Sequence, residues 1–270
     1  MTDTPKKQPR LYVNLFGAPL LLGAMYYGDV FFILLFAGVC FFSIYEFNNI
    51  CKKMGYPQLV AIPYSILTLL TISALEIYPT DIHHIFLFTI IAGMVLTVIT
   101  ELEEPVVAIS SSIFSTVWIG LFFYSIVNIR LISEIGLPLT VAMFVSVWIC
   151  DSAAYIFGKQ FGDKKIAPTI SPKKTWVGSI SGLICTLLFM FSFYHNGWLG
   201  YNLSLPNTIL LGLVFGGISQ FGDLFESKFK RIAKVKDSSQ FLQGHGGFLD
   251  RFDSLMITAP ATYLLKHYLF

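Results

Sequence analysis

Charge is scarce in this chain. Only 13% of its 270 residues are Asp, Glu, Lys or Arg, against 55% hydrophobic, and the mean hydropathy is +0.69. A soluble domain is roughly 45 to 50% apolar even with Gly counted, so this composition excludes a soluble fold and predicts a polytopic membrane protein. Cysteine is sparse too: Cys40, Cys51, Cys150 and Cys185 form no Cys-x-x-Cys pair, and three of them lie inside apolar runs. That excludes a disulfide frame or a cysteine zinc site and leaves small buried side chains. There is no internal repeat, so an inverted-repeat transporter plan has no support. The polar stretch Met1 to Arg10 has no small-residue cleavage site after a short apolar core, and we read it as a retained cytoplasmic tail.

What the chain does have is a succession of apolar runs near the ~20 residues a bilayer helix needs. They fall at about 11–27, 29–47, 58–78, 84–100, 106–127, 137–158, 176–195, 206–222 and 254–270. The expected fold is all-α, with about nine transmembrane helices. With the N-terminus in the cytoplasm, sixteen of the eighteen Lys and Arg residues fall on cytoplasmic segments, and only Arg130 and Lys266 fall elsewhere. Positively charged loops stay inside, so span count and orientation support one another. The acidic residues of the first half, among them Glu46, Glu76, Glu101, Glu103 and Glu104, are read as markers of membrane boundaries. His83 and His84 are read as a solvated turn, because no further ligand beyond Asp81 stands at metal spacing.

The little charge there is gathers in one place. Charged residues crowd the window Asp223 to Asp237, and a His-Gly-Gly turn and Asp250, Arg251 and Asp253 follow. On a helix, Asp223, Ser227 and Lys230 share a face with Glu226 beside them, and Asp250 and Asp253 share another. Carboxylates on separate segments suit a hard cation such as magnesium, which takes oxygen ligands and keeps positions for water and substrate phosphate. Lysines and Arg231 bring the opposite charge for phosphate oxygens. Gly246 and Gly247 let the backbone approach a ligand or take positive φ. These are the parts of a metal-assisted phosphoryl or nucleotidyl transfer site at the cytoplasmic face. Asp151, in a span, is a functional candidate by default.

Ser227-x-Phe229-Lys230-Arg231, Lys236-Asp237-Ser238-Ser239 and His245-Gly246-Gly247-x-x-Asp250-Arg251-x-Asp253 together resemble the signature of the phosphatidate cytidylyltransferases, the CDP-diacylglycerol synthases. A second block is similar to that family as well: Asp151-x-x-Ala154-Tyr155-x-x-Gly158, Phe161-Gly162, and Ser171-Pro172-Lys173-Lys174-Thr175-Trp176. Two departures stand out. Gln243 replaces the family's Pro, and Val177 replaces a Glu or Gln before Gly178.

The resemblance implies transfer of a cytidylyl group from CTP to phosphatidic acid in a membrane, with membrane lipid around the enzyme and no nucleic-acid partner. It implies a bacterial inner-membrane location and is compatible with a homodimer. Phosphatidate carries its own anionic nucleophile, so the enzyme must chiefly bring two polyanions together against Coulomb repulsion. The implied magnesium ligands are Asp223, Asp250 and Asp253 with Asp151 nearby, and a second ion could join. Lys230, Arg231 and Lys236 are expected to hold phosphates. Ser171, Lys173, Lys174, Thr175, Ser227, Gly246 and Gly247 are expected around nucleotide or lipid headgroup. His245 is expected to orient pyrophosphate or a carboxylate, and Arg251 to pair with a carboxylate. Residues 11–135 then form a scaffold or dimerisation unit, and 136–270 the catalytic region. A CTP-dependent lipid kinase, or an enzyme for another anionic isoprenoid lipid, needs the same cations and metal. A transporter does not need this much charge at one membrane face.

Overall fold

The computed structural model describes residues 11–77, 81–199, 203–242 and 246–269. The expected tail 1–10, and Gln243 and His245 of the signature, lie outside the described residues. Every apolar run of the sequence becomes a helix: α1 (Leu11–Tyr27), α2 (Asp29–Lys53), α3 (Ala61–Ala74), α4 (Ile82–Ile99), α5 (Pro105–Arg130), α6 (Gly136–Phe161), α7 (Trp176–His195), α8 (Leu205–Leu213) running on into α9 (Ser219–Ile232), and, after the short α10 (Leu249–Phe252), α11 (Leu255–Leu269). Among the described residues five helical stretches are long and apolar enough to cross a membrane: α2, α5, α6, α7 and the continuous 205–232.

The structure departs from an all-α plan in the loop after α6. There β1 (Lys165–Ala167) pairs antiparallel with β2 (Ser171–Thr175). Ala167 and Ile170 close the turn by a 3.2 Å backbone bond, and Pro168 occupies the position where its fixed φ favours a tight turn. Thr175 ends the hairpin and caps α7, its hydroxyl accepting from the Gly178 N–H at 3.2 Å.

Close crossing of α6 and α7 explains glycines on both helices, Gly158 of the upstream block among them. A Cβ on Gly182 would stand 2.8 Å from the Cys150 carbonyl oxygen, and one on Gly158 would stand 2.8 Å from the Thr175 hydroxyl. Small residues let helix backbones approach where lipid supplies no hydrophobic drive. The aromatic core is built differently. Phe36 meets Phe122, Phe144 and Phe252 edge-on at 5.9 to 6.1 Å, tying α2 to α5, α6 and α10.

A π-helical turn, Val214–Ile218, joins α8 to α9. At this turn the Gly216 carbonyl oxygen accepts from the Gln220 amide at 2.6 Å and the Cys150 thiol at 3.3 Å. Gln220 also meets the Ser179 backbone oxygen at 3.1 Å, fastening the start of α9 to α7 one turn before Asp223.

Candidate functional site

α9 changes character along its length. Its first turns are small and apolar-facing, and its last turns carry Asp223, Glu226, Ser227 and Lys230 on one inward strip, at the 3.6-residue period the sequence predicts. Ser227 donates to Asp223 Oδ1 at 3.2 Å. The other Asp223 oxygen, Oδ2, pairs with Lys174 Nζ of β2 at 2.6 Å, with the two side chains 30% and 27% exposed. Arg231 lies at the end of the strip, and its Nε donates to the Ile170 carbonyl at 3.2 Å and its Nη1 to that of Val235 at 3.0 Å. The hairpin and α9, about fifty residues apart in sequence, therefore meet at one point.

A second junction lies deeper. Lys230 is buried, and its ammonium pairs with Glu226 at 2.5 Å and with Asp250. Asp250 Oδ2 also accepts from the Ser238 N–H at 2.9 Å, the Ser238 hydroxyl at 2.9 Å and the Gly247 N–H at 2.8 Å. Burial opposes ionisation of Asp250. Polar contacts with Glu226 and Lys230, the Gly247 N–H and the charge on Lys230 outweigh it and hold the carboxyl below the usual carboxylate range.

Asp253 is placed differently. Its Oδ1 accepts from the Ser254 N–H at 2.6 Å, and the charges that act on it include Asp223, Asp151 and Lys230. Burial pushes the Asp253 carboxyl up, repulsion from Asp223 and Asp151 adds to it, and the Ser254 N–H and Lys230 work against it. Asp151 of α6, Asp223 of α9 and Asp253 at the end of α10 are thus close enough for their charges to act on one another, with Lys174 beside Asp223. Hard oxygen donors of this kind fit magnesium. Among the described residues no group of three or more His, Cys, Asp or Glu side chains is placed to hold a metal ion by itself. Magnesium rarely needs one, because one or two carboxylates with substrate phosphates and water complete its octahedron.

The other expected residues fall into two groups. Lys173, Lys236 and Arg251 are exposed and Ser171 is half-buried on β2. Gly246 takes φ +80°, as the His-Gly-Gly turn predicts, while Gly247 is tight for another reason. A Cβ there would run into the Glu46 carboxylate and the Ser238 hydroxyl, so the close approach is to the protein's own side chains.

Two features escape the sequence reading. Glu46, expected at the end of its run, lies inside α2, which continues six residues past 47, and it is completely buried. Gln220 is the other, and the paired Gly216 and Gly217 in an apolar run are the one signal that pointed toward it.

A sequence model of the cytidylyltransferase family matches residues 8–269 of the chain. The chain belongs to that family. Among curated relatives, a phosphatidate cytidylyltransferase of Haemophilus influenzae is 47% identical over 127 residues, covering 46% of this chain and 44% of that protein. One from Staphylococcus saprophyticus is 41% identical over 154 residues, 56% of each chain. One from Staphylococcus haemolyticus is 43% identical over 130 residues, 48% of this chain and 49% of its own length. The chain spans about half the length of the curated relatives it matches. The family assignment fits the site, whose hairpin and α9 strip are the two blocks in which the sequence resembles the cytidylyltransferases.

Proposed function

We propose that this membrane protein transfers a cytidylyl group from CTP to phosphatidic acid, forming CDP-diacylglycerol and releasing pyrophosphate. The observation that carries this reading is the Lys174–Asp223 pair, which sets a cation from one block against a carboxylate from the other. Family membership and the names of the relatives support it. In the reaction a phosphate oxygen of phosphatidate attacks the α-phosphorus of CTP, the bond from that phosphorus to the bridging oxygen breaks, and pyrophosphate leaves with the electron pair. Nucleophile and leaving group are both anionic, so the protein's main tasks are charge neutralisation and in-line placement.

Asp223 and Asp253, with Asp151 next to them, would hold magnesium. When bound, it supplies Lewis-acid neutralisation of the phosphate oxygens. Asp250 is the most heavily engaged of the expected ligands, with three donors on Oδ2 and the buried Lys230 on Oδ1, and we assign it to holding its loop against Lys230. Lys230 is committed to Glu226 and Asp250, so the phosphate-facing cations are Lys174, freed from Asp223 as the site fills, and the exposed Lys173 and Lys236. Arg231 fastens the hairpin to α9. The site faces the cytoplasm of a bacterial cell from its inner membrane, where CTP is available, and two copies of the chain associate through the first-half helices.

The test is incubation of purified protein with labelled CTP, magnesium and phosphatidate. A labelled lipid and one pyrophosphate per lipid are expected. No labelled lipid, or label incorporated without added phosphatidate, refutes the reading.

A further inference from the structure

α2 lies outside both sequence blocks, yet it reaches into the site. Glu46 is 0% exposed and has no cationic partner in any described ion pair. Its carboxylate is met by four donors. Oε1 accepts from the Ser239 hydroxyl at 2.6 Å and the Phe248 N–H at 3.0 Å. Oε2 accepts from the Ser238 hydroxyl at 2.8 Å and the Leu249 N–H at 2.8 Å. Each oxygen thus takes one hydroxyl from the limb before the His-Gly-Gly turn and one backbone N–H from the limb after it. A single side chain 192 to 203 residues away closes the two limbs on each other.

We infer that Glu46 is a positioning residue for the transfer reaction: its carboxylate clamps the two limbs of the Asp223 to Asp253 signature so that Asp250 holds its loop against Lys230 and Asp253, three residues on, is presented to the reaction centre. This rests on the proposed cytidylyl transfer. The link to the chemistry is short, because the Ser238 hydroxyl also reaches Asp250 Oδ2 at 2.9 Å, and Asp250 in turn pairs with Lys230. The Ser238 proton serves one carboxylate at a time, while the Ser238 N–H stays on Asp250. Gly247 is confined by the same clamp, for a side chain there would occupy the space of the Glu46 carboxylate.

Glu46→Gln is the sharpest perturbation. The amide keeps the shape but offers one acceptor oxygen, and whichever way it turns, its NH₂ faces a backbone N–H that cannot rotate away. Serine hydroxyls can turn to accept, and the Phe248 or Leu249 N–H cannot. The protein is expected to fold, because Phe42 still stacks on Phe248 at 5.1 Å and meets Phe241 at 5.3 Å.

Two readouts are taken on the full chain. In the transfer assay kcat is expected to fall about 10²-fold, the scale on which a small displacement of catalytic groups acts, with KM for CTP and phosphatidate within about threefold. In limited trypsin digestion of the detergent-solubilised protein, cleavage after the exposed Lys234 and Lys236 is expected to accelerate, while cleavage after Lys164 and Lys165 in the hairpin segment keeps its wild-type rate. Unchanged cleavage at Lys234 and Lys236, equal acceleration at all four lysines, or kcat within about threefold of wild type overturns the inference. Should Glu46→Gln fail to accumulate, Ser239→Ala removes one donor only and is expected to give the same selective cleavage to a lesser degree; wild-type cleavage in that variant overturns the inference as well. A wild-type protein that makes no labelled lipid refutes the proposed function, and the digestion still decides the clamp.

Discussion

Replacing Lys174 with Met removes the ammonium from Asp223 while keeping an unbranched stem of similar length. The carboxylate then retains the Ser227 hydroxyl at 3.2 Å and stands beside Asp151 and Asp253 with less compensation. A charge-assisted hydrogen bond is worth roughly 1.5 to 3 kcal/mol, and a fully exposed ion pair about 0 to 1 kcal/mol. The pair here is 2.6 Å long with side chains 27% and 30% exposed, which puts it between those limits at about 1 to 2 kcal/mol. If the freed ammonium makes a charge-assisted bond of similar strength to phosphate oxygens as charge develops in transfer, losing it costs about 5- to 30-fold in kcat. Initial rates with either substrate varied separate this from a binding effect, which would appear in one KM alone. The cycle with Asp223→Asn isolates the pair, because the double variant should lose less than the product of the two single losses. Rates within about twofold of wild type for Lys174→Met, in kcat and in both KM values, would refute the reasoning and leave the hairpin as an orientation signal only.

The remaining predictions address the metal, the turn and the topology. Asp253→Asn removes a ligand charge without altering shape, and activity should fall below a hundredth of wild type with the thermal midpoint in detergent held; activity within about threefold, under ~0.7 kcal/mol of barrier, would remove Asp253 from the site. Gly247→Ala should destabilise the protein by about 1 to 3 kcal/mol through overpacking against Glu46 and Ser238, whereas Gly38→Ala, with open space around its Cβ, should not; equal midpoints for the two variants would contradict the crowding. Cysteines placed at the exposed Glu134 and Asp163, on either side of the 26-residue α6, should react with an impermeant thiol reagent from opposite faces of the membrane, Asp163 from the cytoplasmic one. Labelling of both from one face would mean that α6 does not span.

The helices were legible because a bilayer imposes a length and an apolar composition on each one, and both can be read locally. The α9 strip was legible for a related reason, since Asp223, Ser227 and Lys230 share a face by helical period alone. The hairpin was not. Lys165 to Thr175 has the lysines and prolines of an orienting loop, and its pairing depends on a turn at Pro168 and on docking against α9 through Arg231 and Lys174.

Residue chemistry along the chain determined that this is a helical membrane protein, that its charge gathers in two blocks, and that those blocks are suited to phosphate and a hard cation. Only the tertiary structure decided which charges are spent on one another. Lys230, expected to hold phosphate, is enclosed by Glu226 and Asp250, and Asp250, expected to hold a metal, accepts from Ser238 and Gly247. Glu46 shows the limit most clearly. A carboxylate near the end of an apolar run has the same local pattern whether it meets water or a ring of donors, and its donors come from residues about two hundred positions further along the chain. Hydrogen bonding acts over about three ångströms, and only folding brings such partners within reach.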